Sequence, residues 1–275
     1  MVELIEQPDS SALEISDAVG RDPGLAARVL KLANSVFHGF ASQISSLERA
    51  VQIIGLEETR ALVLDPALGR MDDLVVEGLD VPEFWDHSVL CATAAALLAG
   101  EFNHPEPERL FVGGLLHDIG RLMIALHAPE PWREVVERCQ REGELSLNVE
   151  RLVLGFDHAT VGAELIASWQ MPKPLAHMVR WHHNPGKAPN PQLDTFLVHY
   201  ADFITSVLGL GDGGERLICP LTVPNGLKAM VLPDDRLELL AQELLRQEQE
   251  LRTNRRQRLL PMAQSVGADP AGRVS

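Results

Sequence analysis

Apolar residues in this chain recur three and four positions apart, and nowhere do they alternate with polar ones over a useful length. That spacing is the period of a helix face and leaves a β-sheet without its signal. The punctuation agrees. Ser11 stands three residues before Glu14, and Ser45 three before Glu48, the form of a capping box. Asp22 followed by Pro23 is a second kind of helix start, in which a carboxylate caps and proline takes the first helical position. "DPGLAARVLKLANS" carries Leu25, Val29, Leu32 and Ala33 at the spacing of one face. Leu25, Val29 and Leu32 are expected in a core, and Asn34 is expected to bond backbone where the helix ends. "SLERAVQIIG" stops at Gly55. Aromatic residues are only 5% of the chain, which gives a sheet no further support. The expected fold class is all-α.

A second helical block begins near Pro82. "FWDHSVLCATAAALLAG" is dense in Ala and Leu and is expected to be buried on most sides. "PERLFVGGLLHDIGRLMIAL" reads as one helix whose paired Gly113 and Gly114 admit a close neighbour. Further helices are expected over 130–142, 146–154, 158–170, 173–183 and 192–208, with a loop at "GDGG", 211–214, and a last amphipathic helix opening at Asp234 and Asp235. This divides the chain into an N-terminal helical subdomain, 1–75, a helical bundle, 76–260, and a tail, 261–275, expected to be disordered.

Among 275 residues, 39 acidic against 24 basic side chains leave a formal charge of −15, which opposes direct nucleic-acid binding. The exception is "RTNRRQR", 252–258, read either as a helix end complementing the macrodipole or as a basic contact patch. Cys91, Cys139 and Cys219 are far apart and show no CxxC spacing, so they are expected to be reduced. The N-terminal "MVELIEQPDSS" has no basic and then apolar signal pattern, and no run reaches the roughly 18 apolar residues of a span. The expectation is a cytoplasmic chain with no membrane partner.

Several histidines have acidic neighbours: His87 mid-helix, the adjacent His117 and Asp118, His158 at a helix start, the adjacent His182 and His183, and Asp202 in "LVHYADFI". Imidazole and carboxylate are ligands for Zn, Fe, Mn or Ni, and a bundle can aim them inward from facing helices. No pair shows i,i+4 spacing within one helix, and a single buried histidine is more often a hydrogen-bonded core residue. His38, His104, His127, His177 and His199 are read as structural or exposed. Glu83 is read as a helix-start acid in preference to a carboxylate that braces a metal-binding His87 from behind, and Asp86 as exposed.

The order His87, His117-Asp118, Asp202 resembles the H…HD…D signature of the HD superfamily of metal-dependent phosphohydrolases. That resemblance implies that these four bind a metal, with His158, His182 and His183 matching the extra histidines of the cyclic-dinucleotide-hydrolysing branch. A closer resemblance covers nearly the whole chain. "SDAVGRDPGLAARVLKLANS", "ISSLERAVQIIGL", "FWDHS", "FVGGLLHDIGRL", "HATVGAELIASWQMP" and "LVHYADFI" resemble the HDOD family, a bacterial signalling relative of the HD hydrolases. It implies an all-helical module, generally non-catalytic, with its own N-terminal subdomain; the family's proline-rich first helix is expected to be abbreviated here. Two departures from the hydrolases bear on activity. The double histidine is followed by "NPGKAPNPQ" rather than Gly-Tyr-Pro, and Arg121 stands where hydrolysing relatives carry a phosphate-side lysine. The cationic candidates for a phosphate are Arg121, Lys173 and Arg180. Two functions remain. A regulatory module binding a signalling protein or small ligand is favoured over a metal-dependent phosphohydrolase or phosphodiesterase; oligomeric state is left open.

Overall fold

The computed structural model describes residues 10–36, 43–64, 74–189, 192–214 and 217–266. Its helices are α1 (Ala12–Gly20), α2 (Pro23–Val36), α3 (Leu47–Ile54), α4 (Leu56–Leu64), α5 (Val81–Glu101), α6 (Pro107–Leu116), α7 (Ile119–His127), α8 (Pro129–Glu142), α9 (Ser146–Leu154), α10 (His158–Ser168), α11 (Lys173–Trp181), α12 (Gln192–Val207) and α13 (Asp234–Val266). Among the described residues there is no strand, only an isolated bridge between Val76 and Leu79. The fold is all-α, as the periodicity requires.

Cap chemistry sets the first helices. Both halves of the Ser11–Glu14 box form, and Asp22 Oδ1 accepts from Leu25 N at 3.0 Å. The next cap falls one residue later than expected: Ser46, not Ser45, accepts from Arg49 N at 3.2 Å. Leu25 and Val29 are buried as expected, but Leu32 is half-buried, because Ala26, Leu30 and Ala33 complete the inward face. Asn34 is buried and does more than end a helix. Its Nδ2 donates to Leu30 O at 2.9 Å and Ile44 O at 3.0 Å, while its Oδ1 accepts from Ile44 N at 2.9 Å. Asn34→Ala leaves both backbone groups of a buried residue without that partner, so it should cost about 2 kcal/mol in chemical denaturation; an unchanged unfolding midpoint would refute the role.

The main apolar core runs from Ile15, Val29 and Val51 through Leu90, Ala94 and Leu98 to Phe196 and Leu244. It crosses position 75 without a break, so the N-terminal helices and the bundle share one interior. A smaller cluster joins Phe84 and Trp85 of α5 to Ile119 and Leu122 of α7 and to Trp132 of α8. His87 lies on α5 between the residues that enter one cluster and those that enter the other. Gly113 and Gly114 act as expected: a Cβ at Gly114 would stand 2.8 Å from Ala92 Cα and 2.9 Å from Cys91 O, so only glycine lets α6 lie this close to α5.

Three expectations need correction. "PERLFVGGLLHDIGRLMIAL" is two helices, broken at His117 and Asp118, where Asp118 leaves the helical region at φ −102° and ψ 6°. Arg252 and Arg255, from the basic run, pair with Glu83, and Arg255 also pairs with Asp86 at 3.1 Å. Asp86 is therefore half-buried rather than exposed, and the run fastens α13 to the start of α5. Finally, α13 continues through Pro261 to Val266, because proline removes one ladder hydrogen bond without ending every helix; residues 267–275 lie outside the described residues. The stretch Pro107–His127 has the length and composition of a membrane span, yet 78% of its apolar window is buried within the fold.

Candidate metal centre

On an unbroken helix, adjacent side chains diverge by about 100°. The break after Leu116 removes that constraint and turns both His117 and Asp118 into one cleft, with His117 Nε2 3.4 Å from Asp118 Oδ2. The second adjacent pair is freed in the same way: α11 ends at Trp181, and the rings of His182 and His183 lie 4.0 Å apart beyond it. Two donor groups result, each with its ligand atoms within 4.8 Å of one another. His87, His117 and Asp202 form the first; Asp118, His158, His182 and His183 form the second. Residues spread from 87 to 202 thus share one cleft.

Hydrogen bonding assigns the histidine tautomers. A carbonyl or carboxylate only accepts, so the Nδ1–H of His87 donates to Leu210 O at 3.1 Å, that of His117 to Gly114 O at 2.7 Å, and that of His182 to Val179 O at 2.7 Å. His158 Nδ1–H donates to the Glu150 carboxylate at 2.7 Å. Every one of these rings presents its Nε2 lone pair inward. There His87 Nε2 meets Asp202 Oδ1 at 3.2 Å, and Asp118 Oδ1 lies 3.2 Å from His158 Nε2 and 3.5 Å from His182 Nε2. The buried Nε2 atoms of His117 and His182 have no hydrogen-bond partner. Acceptors facing acceptors repel unless a proton or metal lies between them. Separations of this size are also those kept by donors about 2.1 Å from a shared ion.

Charge points the same way. Asp118, Asp202 and Glu150 are buried carboxylates, and Arg121 is the buried guanidinium among them, with Nε 3.0 Å from Asp118 Oδ2. Burial pushes the Asp118 carboxyl up, but Arg121 and His117 hold it well below the usual carboxylate range. Asp202 is lowered likewise, against burial, by its hydrogen bond to His87 and the charge of His117. Burial and Arg121 press the His158 imidazole down, yet Glu150 and Asp118 lift it to about 9, while His117 is raised well above its ordinary value. Burial and the neighbouring His182 and His158 push His183 well down. The side chains alone would therefore balance their excess negative charge by protonating His117 and His158. A divalent ion supplies the same charge and displaces those protons. The donor set fits such an ion.

Of the remaining histidines, His104 and His199 make structural hydrogen bonds, His127 is exposed and His177 half-buried, and His38 lies outside the described residues. His104 Nε2–H donates to Asp194, and His199 Nε2 accepts from Thr222 N at 2.8 Å. Burial lowers His199 to about 4 from 6.5. The unfolded chain therefore takes up that proton first, and the His199 contribution is complete above pH 6.5 and lost as pH falls toward 4. Urea midpoints at pH 7.5 and pH 5 should show a wild-type loss up to about 2 kcal/mol larger than in His199→Gln; equal losses would remove this role.

The basic candidates are placed less favourably for a phosphate. Arg121 is wholly buried against Asp118. Lys173 is exposed in the first turn of α11, and Arg180 lies over the Trp181 ring at 5.6 Å. Two parts of the site were not singled out from sequence. Glu150 orients His158; its signal was a charge on the buried face formed with Ser146 and Val149, three to four residues apart. The loop 210–214 roofs the cleft, and a Cβ at Gly213 would stand 3.0 Å from the His87 ring and 3.4 Å from Asp118 Oδ2.

The HDOD domain family matches residues 1–185 of the chain. The protein is a member of the HDOD family. This HDOD chain is 27% identical over 189 residues to an uncharacterized protein of Treponema pallidum (strain Nichols), a match covering 67% of this chain and 36% of that protein. It thus spans about a third of that relative's length. Its fold is similar to that of the MmoQ response regulator from Methylococcus capsulatus, with a TM-score of 0.66 at 22% identity over 87% of this chain and 92% of the regulator. A candidate phosphohydrolase from Shewanella amazonensis aligns at 26% identity and a TM-score of 0.52, covering 91% and 89% of the two chains. These neighbours share the helical fold of the chain.

Proposed function

We propose that the chain is a regulatory HDOD module that keeps a divalent metal as part of its architecture, binds a signalling protein or small ligand in the bacterial cytoplasm, and does not turn over phosphoesters. The observation that carries the metal is the inward convergence of four Nε2 lone pairs on two carboxylates, with every Nδ1–H engaged on the outside. Either donor group, His87, His117 and Asp202 or Asp118, His158, His182 and His183, would hold the ion. Bound there, a divalent ion supplies Lewis acidity toward a substrate oxygen. Fe, Mn, Ni and Zn all accept this donor set.

The absence of turnover is inferred from the chain's own residues. Gly213 lies over His87 and Asp118, where a substrate would approach, and Arg121 neutralises a donor instead of facing a phosphate. Phosphoryl chemistry needs preorganised donors or cations around the transferred group. The excess of acidic side chains also disfavours a nucleic-acid partner.

The completeness of the donor set favours a second reading, a metal-dependent phosphohydrolase or phosphodiesterase. One experiment separates the two. Elemental analysis of protein purified without added metal should find a transition metal, and its uptake at pH 7 should release protons. Metal-loaded protein offered cyclic dinucleotides, nucleotides and an aryl phosphodiester should give no multiple turnover. Sustained turnover lost in Asp118→Ala would overturn the regulatory reading.

A further inference from the structure

The two donor groups of the cleft are not equivalent. Asp118, His158, His182 and His183 offer four ligand atoms, whereas His87, His117 and Asp202 offer three. Four protein donors are the count of a closed, structural site, and three leave a position open. The groups also differ in what stands behind their imidazoles. The Nδ1–H groups of His87, His117 and His182 meet neutral backbone carbonyls, while that of His158 meets the carboxylate of Glu150. A carboxylate behind an imidazole fixes its tautomer and orientation and raises its basicity as a ligand. Its full charge does so more strongly than a carbonyl dipole.

Local sequence puts Glu150 in that place. It belongs to the buried face of α9 with Ser146 and Val149, and Gly155 ends that helix in the left-handed region at φ +83°. Asp157 then opens α10 by accepting from Thr160 N at 2.7 Å. His158 is thus the first residue of α10, and its backbone N–H is one of the donors that a helix start leaves without an intrahelical acceptor. Glu150 Oε2 accepts from that N–H at 2.7 Å and from the ring Nδ1–H at 2.7 Å, with Oε1 2.9 Å from the same ring nitrogen. One buried carboxylate therefore holds both the backbone and the ring of His158. Asp118 is fixed in a comparable way: Arg121 Nε stands 3.0 Å from its Oδ2, which leaves Oδ1 facing His158 and His182.

We propose that Glu150 is a positioning residue that makes Asp118, His158, His182 and His183 the group that retains the ion, with His87, His117 and Asp202 binding an ion far more weakly. Glu150 acts only through His158, because both of its oxygens are engaged there. The proposal rests on the architectural-metal reading above and goes beyond it by naming the donors that hold the ion and the residue that selects them.

The test strips metal from the full chain with a chelator and titrates it back with Co(II), reading both affinity and visible absorption. Wild type should take up one tight equivalent, with the strong visible bands of four-coordinate Co(II), and a second should bind more weakly. Glu150→Gln keeps the shape but offers one acceptor to two His158 donors. It should bind Co(II) about 10–100-fold more weakly and with altered bands, a signature that a role in folding alone would not move. His158→Gln should lose the tight equivalent and His87→Gln should keep it, so stoichiometry decides the matter even where Glu150→Gln fails to fold. Circular dichroism and melting temperature of the metal-free variants establish that like folds are compared. A wild-type chain that takes up no Co(II) overturns the architectural-metal reading and the proposal with it. The proposal alone falls if two equivalents bind with equal affinity, if His87→Gln loses the tight equivalent or His158→Gln keeps it, or if folded Glu150→Gln has wild-type affinity and bands.

Discussion

Gly120→Ala should be the most disruptive single methyl addition in this protein. A Cβ at Gly120 would stand 2.0 Å from His158 O and 2.8 Å from Gly162 N. Both obstacles are backbone on α10, so no side chain can rotate aside. The start of α7 and the start of α10 would have to separate, and the apolar contacts that clamp them would open. Overpacking typically costs 1–3 kcal/mol, and a clash with rigid backbone on both sides belongs at or above about 3 kcal/mol, roughly 10 °C of melting temperature in a chain of this size. His158 would move with its helix, so metal content should fall too. Gly143→Ala is the control: Gly143 has φ +63° with nothing in the way of a Cβ, and it should cost only about 1 kcal/mol. A Gly120→Ala protein melting within about 2 °C of wild type would show that this helix crossing is looser than described.

Asp118→Ala should have a comparable effect by a different route. Asp118 is the hinge of the cluster: one oxygen faces His158 and His182 at 3.2 and 3.5 Å, and the other faces His117 at 3.4 Å and Arg121 at 3.0 Å. Truncation takes from the buried Arg121 guanidinium its carboxylate and from the second donor group its only acid. Removing one partner of a buried charge pair typically costs about 3–5 kcal/mol. Both the melting temperature and the metal content of purified Asp118→Ala protein should fall. Asp118→Asn, which keeps the shape and removes the charge, should lose metal while recovering part of the stability. Wild-type metal content in Asp118→Ala would place the metal elsewhere and sink the assignment of this cleft.

Much of this was legible in sequence because helices are local. The period of apolar residues and the caps at Ser11 and Asp22 decided the class and most helix positions, since each depends on residues three or four apart. The paired glycines 113 and 114 announced a close helix contact for the same reason. Errors arose where two local rules competed or a distant partner decided. Ser45 and Ser46 both offer a cap, and only the chain path selected Ser46. Asp86 looked exposed because Arg255, its partner, is 169 positions away in sequence.

The sequence by itself determined that imidazoles and carboxylates able to ligate a metal were present, and the resemblance to the HD superfamily marked His87, His117, Asp118, His158, His182, His183 and Asp202 among them as the candidate ligand set. Only the tertiary structure decided that they converge. The break at His117 and Asp118 turns neighbours into the same cleft, and carbonyls or carboxylates from elsewhere set which imidazole nitrogen faces inward. The roof over the cleft and the burial of Arg121 were likewise decided there. Lone-pair direction and access depend on groups remote in sequence, and the periodicity of one helix carries no record of them.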